Sequence, residues 1–144
     1  MPAPQSKNPP SVKPSSVKKR FTLEQANRTL PYVTRVVADI VKAHEQATNL
    51  QGKMESLRSS KSHDTAERDL VAVLDRLQTL VDELHGVGCE LKDYQTGLVD
   101  FIGRHQGRDV YLCWRMGEAR IAYWHEIQSG FAGRQPVSIL DERE

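Results

Sequence analysis

Residues 86 to 136 of the chain read GVGCELKDYQTGLVDFIGRHQGRDVYLCWRMGEARIAYWHEIQSGFAGRQP. This stretch holds seven of the nine aromatic residues, both cysteines and most of the glycines, interleaved with charged side chains. Large rings and charges at this density are costly to bury together unless the polar groups are paired. The stretch therefore indicates the functional face of the protein.

The hydrophobic period within this stretch is 2, which is typical of strands. Strands are predicted over residues 98–102, 109–115 and 121–127, separated by the turn-like segments GRHQGR and MGEA. If the turns are tight, an apolar face collects Val99, Phe101, Val110, Leu112, Trp114, Ile121, Tyr123 and His125. The opposite face then collects Leu98, Asp100, Tyr111, Cys113, Arg115, Ala122, Trp124 and Glu126. A one-residue slip would exchange these sets, and the spacing of apolar residues also permits a helix over 118–128.

Upstream of Gly86 the period changes to 3.5, and apolar residues step by three and four along two segments. They are Val33, Val36, Ile40, Ala43, Ala47, Leu50, Met54 and Leu57, then Ala66, Leu70, Val73, Leu77, Leu80 and Leu84. The pattern predicts a long antiparallel, coiled-coil-like helical hairpin, with Val37, Val41 and Val81 widening its apolar face.

The ends of these helices also carry signals. Thr22 and Gln25 form a capping box at the start of the first helix, and Pro31 is expected to break or restart it. Asp64 with Glu67 suggests the start of the second helix, and His85 followed by Gly86 suggests its end.

The length and composition of the chain predict how many domains it forms. With 144 residues, 38% hydrophobic and 27% charged, it fits one α+β domain over residues 21–137, divided into a helical hairpin (21–85) and a C-terminal antiparallel β-meander module (86–137). Residues 1–20 are predicted to be a disordered basic tail, and residues 138–144 a C-terminal tail.

Charge and cysteine usage narrow the function classes. The tail carries five Lys/Arg and no acid, so the remainder has 15 basic against 19 acidic residues. Nucleic-acid contact is therefore expected only through residues 1–20. Two cysteines are too few for a disulfide framework, which favours a cytoplasmic location. The sequence contains no run of 18 consecutive apolar residues, so a membrane span is not predicted.

Four polar residues are candidates for a divalent-metal site or an acid/base pair: Asp93, Asp100, Glu118 and His125. They come from separate segments, so the alternatives are turn caps, pairs with arginines, and a core histidine. Further candidates for binding a ligand or partner are Cys113, Arg115, Trp124 and Arg134. Cys113 beside Arg115 has either a lowered thiol pKa or a buried structural role. Trp124, on the predicted polar face, is typical of an interface anchor.

The segments GCELKDYQTGLVDF and VYLCWRMGEARIAYWHEIQSGFAGRQPV resemble the C-terminal half of a bacterial family of uncharacterised proteins, domain-of-unknown-function family 2203. The opening FTLEQANRTLPYV resembles the start of that family, so the resemblance covers about residues 20–137. Ile102-Gly103 departs from the proline-containing turn expected after Phe101. The resemblance implies bacterial kinship and supplies no mechanism.

Three functions follow as hypotheses. The favoured one is a non-enzymatic cytosolic interaction or scaffold protein that binds a protein partner through its β module, or self-associates into a homo-oligomer. The second is an enzyme that depends on a metal or small ligand and uses Asp93, Asp100, Glu118, His125 and Arg134. The third is a nucleic-acid accessory that uses the basic tail.

Overall fold

The computed structural model describes residues 19–57 and 60–143 and confirms the α+β class. Two long helices precede an antiparallel sheet. The elements are α1 (Leu23–Ser56), α2 (Ser60–Val87), β1 (Glu90–Asp93), β2 (Leu98–His105), β3 (Arg108–Arg115), β4 (Tyr123–Glu126) and β5 (Gln135–Pro136). The predicted disorder of the tail falls mainly on residues 1–18, which lie outside the described residues.

Helix α1 begins at the predicted capping box, with Thr22 and Gln25 each bonding the backbone of the other. The predicted break at Pro31 is wrong, because α1 continues through it. Pro31 is exposed, whereas Ala26, Leu30 and Val33 are buried on the opposite side. Burying those side chains on one continuous stripe outweighs the roughly 3 kcal/mol that an interior proline costs.

The predicted two-helix hairpin is confirmed; part of its apolar seam is buried, and the predicted seam residues that are only half-buried are Leu50, Met54, Leu57, Leu70 and Val73. Buried residues on the two helices are Val33, Val36, Val37, Ile40, Ala43 and Ala47, facing Ala66, Leu77, Leu80, Val81 and Leu84. Helix α2 begins at Ser60, earlier than the predicted Asp64. The first half of α1 and the last part of α2 share one hydrophobic cluster with the sheet, so the strands cover the open end of the hairpin.

The sheet is a simple meander in the order β1-β2-β3-β4-β5. Strand β2 runs past the predicted end at residue 102, and the β2–β3 turn is formed by Gln106 and Gly107, which have φ of 52° and 80°. This two-residue hairpin pairs His105 with Arg108. Strands β1 and β5 lie outside the three predicted strands and complete the two edges.

The faces of β2 and β3 are as predicted, and the face of β4 is inverted. Val99, Phe101, Val110, Leu112 and Trp114 pack in the core with the helices. Strand β4, however, pairs Cys113 with Tyr123 and Leu112 with Trp124, so the tryptophan joins this apolar face and His125 leaves it.

The inversion follows from the connection between β3 and β4, which is a wide loop rather than a tight turn. Trp114 Nε1 donates to the carbonyl of Glu118 at 2.9 Å, and the Ile121 amide donates to Asn27 Oδ1 at 2.8 Å. The bond to Asn27 ties the end of the loop to α1, and β4 pairs with β3 one residue out of the predicted register. The rival prediction of a helix over 118–128 is wrong.

The last described residues return to the start of the domain. The Leu23 amide donates to Glu142 Oε2 at 2.6 Å, and the Gln106 amide donates to the carbonyl of Asp141 at 2.7 Å. Residues 141 and 142, assigned from the sequence to a C-terminal tail, are thus bonded to α1 and to the β2–β3 turn. Neither described helix is long and apolar enough to cross a membrane.

Candidate functional site

Three side chains able to bind protons or metal ions meet on the sheet face that points away from the helices. Asp100 of β2 lies opposite Cys113 of β3, and Tyr111 lies opposite His125 of β4. Since alternate residues of a strand share a face, the carboxylate, the thiol and the imidazole fall side by side. We call Asp100, Cys113 and His125 the polar cluster.

The polar cluster is withdrawn from solvent. Its members are 3% (Asp100), 0% (Cys113) and 2% (His125) exposed. One ligand atom of each lies within 4.8 Å of the other two. His125 Nε2 is 3.3 Å from Oδ1 and 3.2 Å from Oδ2 of Asp100. A charge at such depth has to be paired, so these groups act together.

The backbone fixes the tautomer of the imidazole. His125 Nδ1 lies 2.8 Å from the carbonyl oxygen of Glu126, and because a carbonyl only accepts, Nδ1 carries a hydrogen. Nε2 then faces the two carboxylate oxygens of Asp100.

Burial dominates the acid–base chemistry of the cluster. It raises the pKa of Asp100 above its ordinary value, with His125, Cys113 and Lys92 acting in the opposite direction. Burial, followed by the charge of Asp100, raises the pKa of the Cys113 thiol to about 12. The thiol is therefore protonated at neutral pH, and the predicted alternative of a lowered thiol pKa is wrong for the metal-free protein.

Arg134 borders the polar cluster next to Cys113. Its Nη2 donates to the carbonyl of Cys113 at 3.3 Å and to Glu118 Oε1 at 2.8 Å. Burial by itself disfavours ionised Glu118, but the hydrogen bonds from Arg134 and from the Arg115 amide hold the pKa of Glu118 below its ordinary value. The sequence alternative of Glu118 as a loop residue paired with Arg115 or Arg120 is right about the loop, but the guanidinium that binds Glu118 is that of Arg134, and Arg115 donates only its amide.

The same guanidinium packs against two aromatic rings that remain partly exposed. Its central carbon lies 4.3 Å from the ring centre of Tyr123 and 4.6 Å from that of Phe131, and the guanidinium of Arg115 lies 5.5 Å from the Phe131 ring. Tyr123 is 38% exposed and Phe131 41%. We call Arg115, Tyr123, Phe131 and Arg134 the arginine–aromatic surface.

A lysine and a tyrosine lie on the other side of the cluster. Lys92 Nζ is 3.0 Å from Glu90 Oε1 and 4.6 Å from the ring centre of Tyr111. The Tyr111 ring lies 5.5 Å from that of His125. Burial opposes the charge of Lys92, but Glu90, Tyr111 and Asp100 together raise its pKa. The cluster therefore lies between a lysine on one side and an arginine on the other.

Two candidates from the sequence lie apart from the cluster. Asp93 caps the β1–β2 turn, where it accepts bonds from the amides of Gln95 and Thr96 at 3.3 Å each. Trp124 is 2% exposed on the helix side of the sheet, and its Nε1 donates to the carbonyl of Pro136 at 3.1 Å. The prediction that Trp124 lies on the polar face, exposed as an interface anchor, is wrong because β4 is shifted by one residue.

Tyr111 was not among the candidate site residues predicted from the sequence, and Tyr123 was predicted to lie on the apolar face. The same one-residue shift moves Tyr123 to the outer face together with His125. Phe131 lies in a short 3₁₀ turn, Phe131–Gly133, whose last residue is followed by Arg134. Gly130 and Gly133 flank Phe131 in the sequence, and this glycine pair predicts a turn that can place the Phe131 ring at the surface.

Fold and site together define a class: an α+β protein whose helical hairpin supports a small antiparallel sheet with a buried aspartate, cysteine and histidine. Residues 19–137 match the family described as uncharacterized conserved protein (DUF2203), and the chain belongs to this family. No curated protein and no solved structure matches the chain.

Proposed function

We propose that this protein is a non-enzymatic interaction protein that binds an acidic segment of a protein partner through the arginine–aromatic surface. The observation that carries the proposal is a pair of partly exposed rings held in place by guanidinium groups. Tyrosine, phenylalanine and arginine are enriched where proteins bind one another.

The surface is ordered before any partner arrives. Tyr123 belongs to β4, and Arg134 is held by Glu118 and by the carbonyl of Cys113. Side chains already fixed in this way lose little conformational entropy on binding. The buried polar cluster, which Arg134 borders, lies across β2, β3 and β4.

The acidic character of the partner follows from Arg115. Among residues 19–57 and 60–143, no carboxylate forms an ion pair with its guanidinium, which lies over Phe131. An arginine stacked on a ring presents its planar fork to a carboxylate in bidentate geometry. A partner carboxylate next to an apolar side chain would fit Arg115 and the two rings together.

The test compares three full-length baits in extracts of the source cells: the wild type, Arg115→Ala/Phe131→Ala, and Arg35→Ala/Tyr32→Ala. The third is a matched control, because the Arg35 guanidinium lies 6.0 Å from the ring centre of Tyr32, which is 41% exposed on α1. A partner captured by the wild type is then purified, and its Kd is measured for each bait.

We expect the Kd to rise by at least about tenfold for Arg115→Ala/Phe131→Ala, as for the loss of a binding hot spot. The Arg35/Tyr32 control should bind like the wild type. Equal affinity for all three baits, or an equal loss in the control, would refute the proposed surface.

The setting proposed for this interaction is the cytoplasm of a bacterium, supported by the two unpaired cysteines Cys89 and Cys113. An enzymatic role is a second candidate, favoured by the contact of Asp100 with His125 and of Glu118 with Arg134. Asp93 is not part of this candidate enzyme site, because its carboxylate accepts hydrogen bonds from the β1–β2 turn.

A further inference from the structure

We propose that Asp100, Cys113 and His125 form a Zn²⁺ site. The site is separate from partner binding at the arginine–aromatic surface, so either proposal stands without the other.

The chemical types of the three donor atoms favour Zn²⁺ over Mg²⁺ and Ca²⁺. A carboxylate oxygen, a thiol sulfur and an imidazole nitrogen come within 4.8 Å of one another. Zn²⁺ binds all three kinds of ligand, whereas Mg²⁺ and Ca²⁺ take oxygen ligands. Three protein ligands leave one position of a tetrahedral ion for a second carboxylate oxygen or a small ligand.

The spacing of Asp100 and His125 also suits a shared ion. Zn–N and Zn–O bonds of about 2.0–2.1 Å place two tetrahedral ligands roughly 3.3–3.4 Å apart. Nε2 lies 3.3 Å and 3.2 Å from the two carboxylate oxygens.

The surroundings of His125 have the arrangement that zinc ligands require. Histidines that bind zinc usually donate their other ring N–H to a backbone carbonyl or a carboxylate, which fixes the ring and the tautomer. The hydrogen bond from His125 Nδ1 to the carbonyl of Glu126, at 2.8 Å, meets this requirement and leaves Nε2 for the ion.

The charges balance when the ion enters. A metal ion binds the deprotonated forms of its ligands, so any proton on Cys113, Asp100 or His125 Nε2 leaves when Zn²⁺ arrives. The product contains one thiolate, one carboxylate and a neutral imidazole, and its net charge is zero. A site this deeply buried tolerates a neutral assembly far better than a charged one.

The experiment uses the full-length protein, stripped of metal and then given Co²⁺ or Zn²⁺ alone, both in the folded state and during refolding from denaturant. Refolding is included because an ion reaches buried ligands only slowly in the folded protein. Co²⁺ reports its ligands directly, since a bound thiolate gives a charge-transfer band in the near ultraviolet. We expect one equivalent of Co²⁺ with this band, and its displacement by one equivalent of Zn²⁺.

Four variants assign the site. Cys113→Ser should abolish the band, and Asp100→Asn should weaken Zn²⁺ binding by more than the roughly 10- to 100-fold that losing an outer hydrogen-bond partner costs. Cys89→Ser should keep the band, because this second buried thiol bonds the carbonyl of Leu84. His63→Ala should also keep it; His63, Asp64 and Glu67 are another set of potential ligands on α2.

The wild-type titration decides the matter even if a variant fails to fold. Absence of binding in both protocols, or binding without the thiolate band, would overturn the proposal. So would a band that persists in Cys113→Ser or disappears in Cys89→Ser.

Discussion

The substitution Gly103→Ala, which adds one methyl group, should destabilise the protein. The new Cβ would lie 2.7 Å from Leu112 Cγ and 2.9 and 3.0 Å from its two methyl carbons. Carbon atoms pack best at about 3.5–4.0 Å. Leu112 is fully buried, so its side chain has no solvent to swing into.

The size of the effect comes from two opposing terms. Overpacking a core costs about 1–3 kcal/mol, and replacing a strand glycine by alanine returns about 0.5–1 kcal/mol of backbone entropy. Subtracting the middle of the second range from the middle of the first gives a net loss of roughly 1 kcal/mol in the free energy of unfolding. This loss corresponds to a Tm lower by about 3–5 °C for a domain of this size.

The assay is urea unfolding followed by circular dichroism, with Gly52→Ala as the matched control. No atom lies within 4 Å of a Cβ at Gly52 in α1, so the same substitution should raise the unfolding free energy by about 0.5–1 kcal/mol. The two variants should thus differ in sign.

A double-mutant cycle tests the named contact. Leu112→Ala alone should cost about 2–5 kcal/mol, and adding Gly103→Ala to it should be neutral or favourable, because the new methyl then enters vacated space. Wild-type stability of Gly103→Ala, or strict additivity with Leu112→Ala, would refute the reasoning.

Three further predictions concern the hairpin, the Glu118 pair and the thiols. Leu77→Asp, which places a charge in the buried seam, should lower the Tm by many degrees, whereas Leu74→Asp at a 43% exposed position should change it little; equal melts would contradict the seam. Because the folded pKa of Glu118 lies below 4.5, its carboxylate stabilises the fold above that pH and ceases to do so as the pH falls through the folded pKa. Glu118→Gln should therefore cost about 1 kcal/mol at pH 7 and less in acid, and urea titrations with no such convergence would count against the pair. Cys89 and Cys113 have pKa values raised to about 12 by burial, so at pH 8 a disulfide reagent should label the metal-free native protein roughly a thousandfold more slowly than the unfolded chain; rapid native labelling would contradict their burial.

The helical hairpin was predictable because its information is local. Apolar residues repeated every three or four positions, and the capping box at Thr22 marked the start of α1. Pro31 was misread because local preference argued for a break, whereas the buried stripe on the other side of the helix favoured continuation. The strength of that packing is a tertiary property that one sequence does not display.

The candidate site was only partly predictable, for a related reason. Asp100 and Cys113 were placed on one face because β2 and β3 alternate regularly. His125 depended on the register of β4, which is set by contacts distant in the chain, such as that between Asn27 and Ile121. The same distant contacts decided whether Trp124 was exposed. One residue in the length of a loop thus separated the predicted working surface from the observed one.

The bond between the Leu23 amide and the Glu142 carboxylate has a practical consequence. It brings the two ends of the folded unit to one corner, while the end of α1 at Ser56 and the start of α2 at Ser60 lie at the far end of the hairpin. A rearranged chain that starts at Ser60, runs to Glu142, crosses a linker of a few residues to Arg20 and ends at Leu57 would keep every strand pairing. The domain is therefore suited to circular permutation, and to insertion as a cassette into a surface loop of another protein.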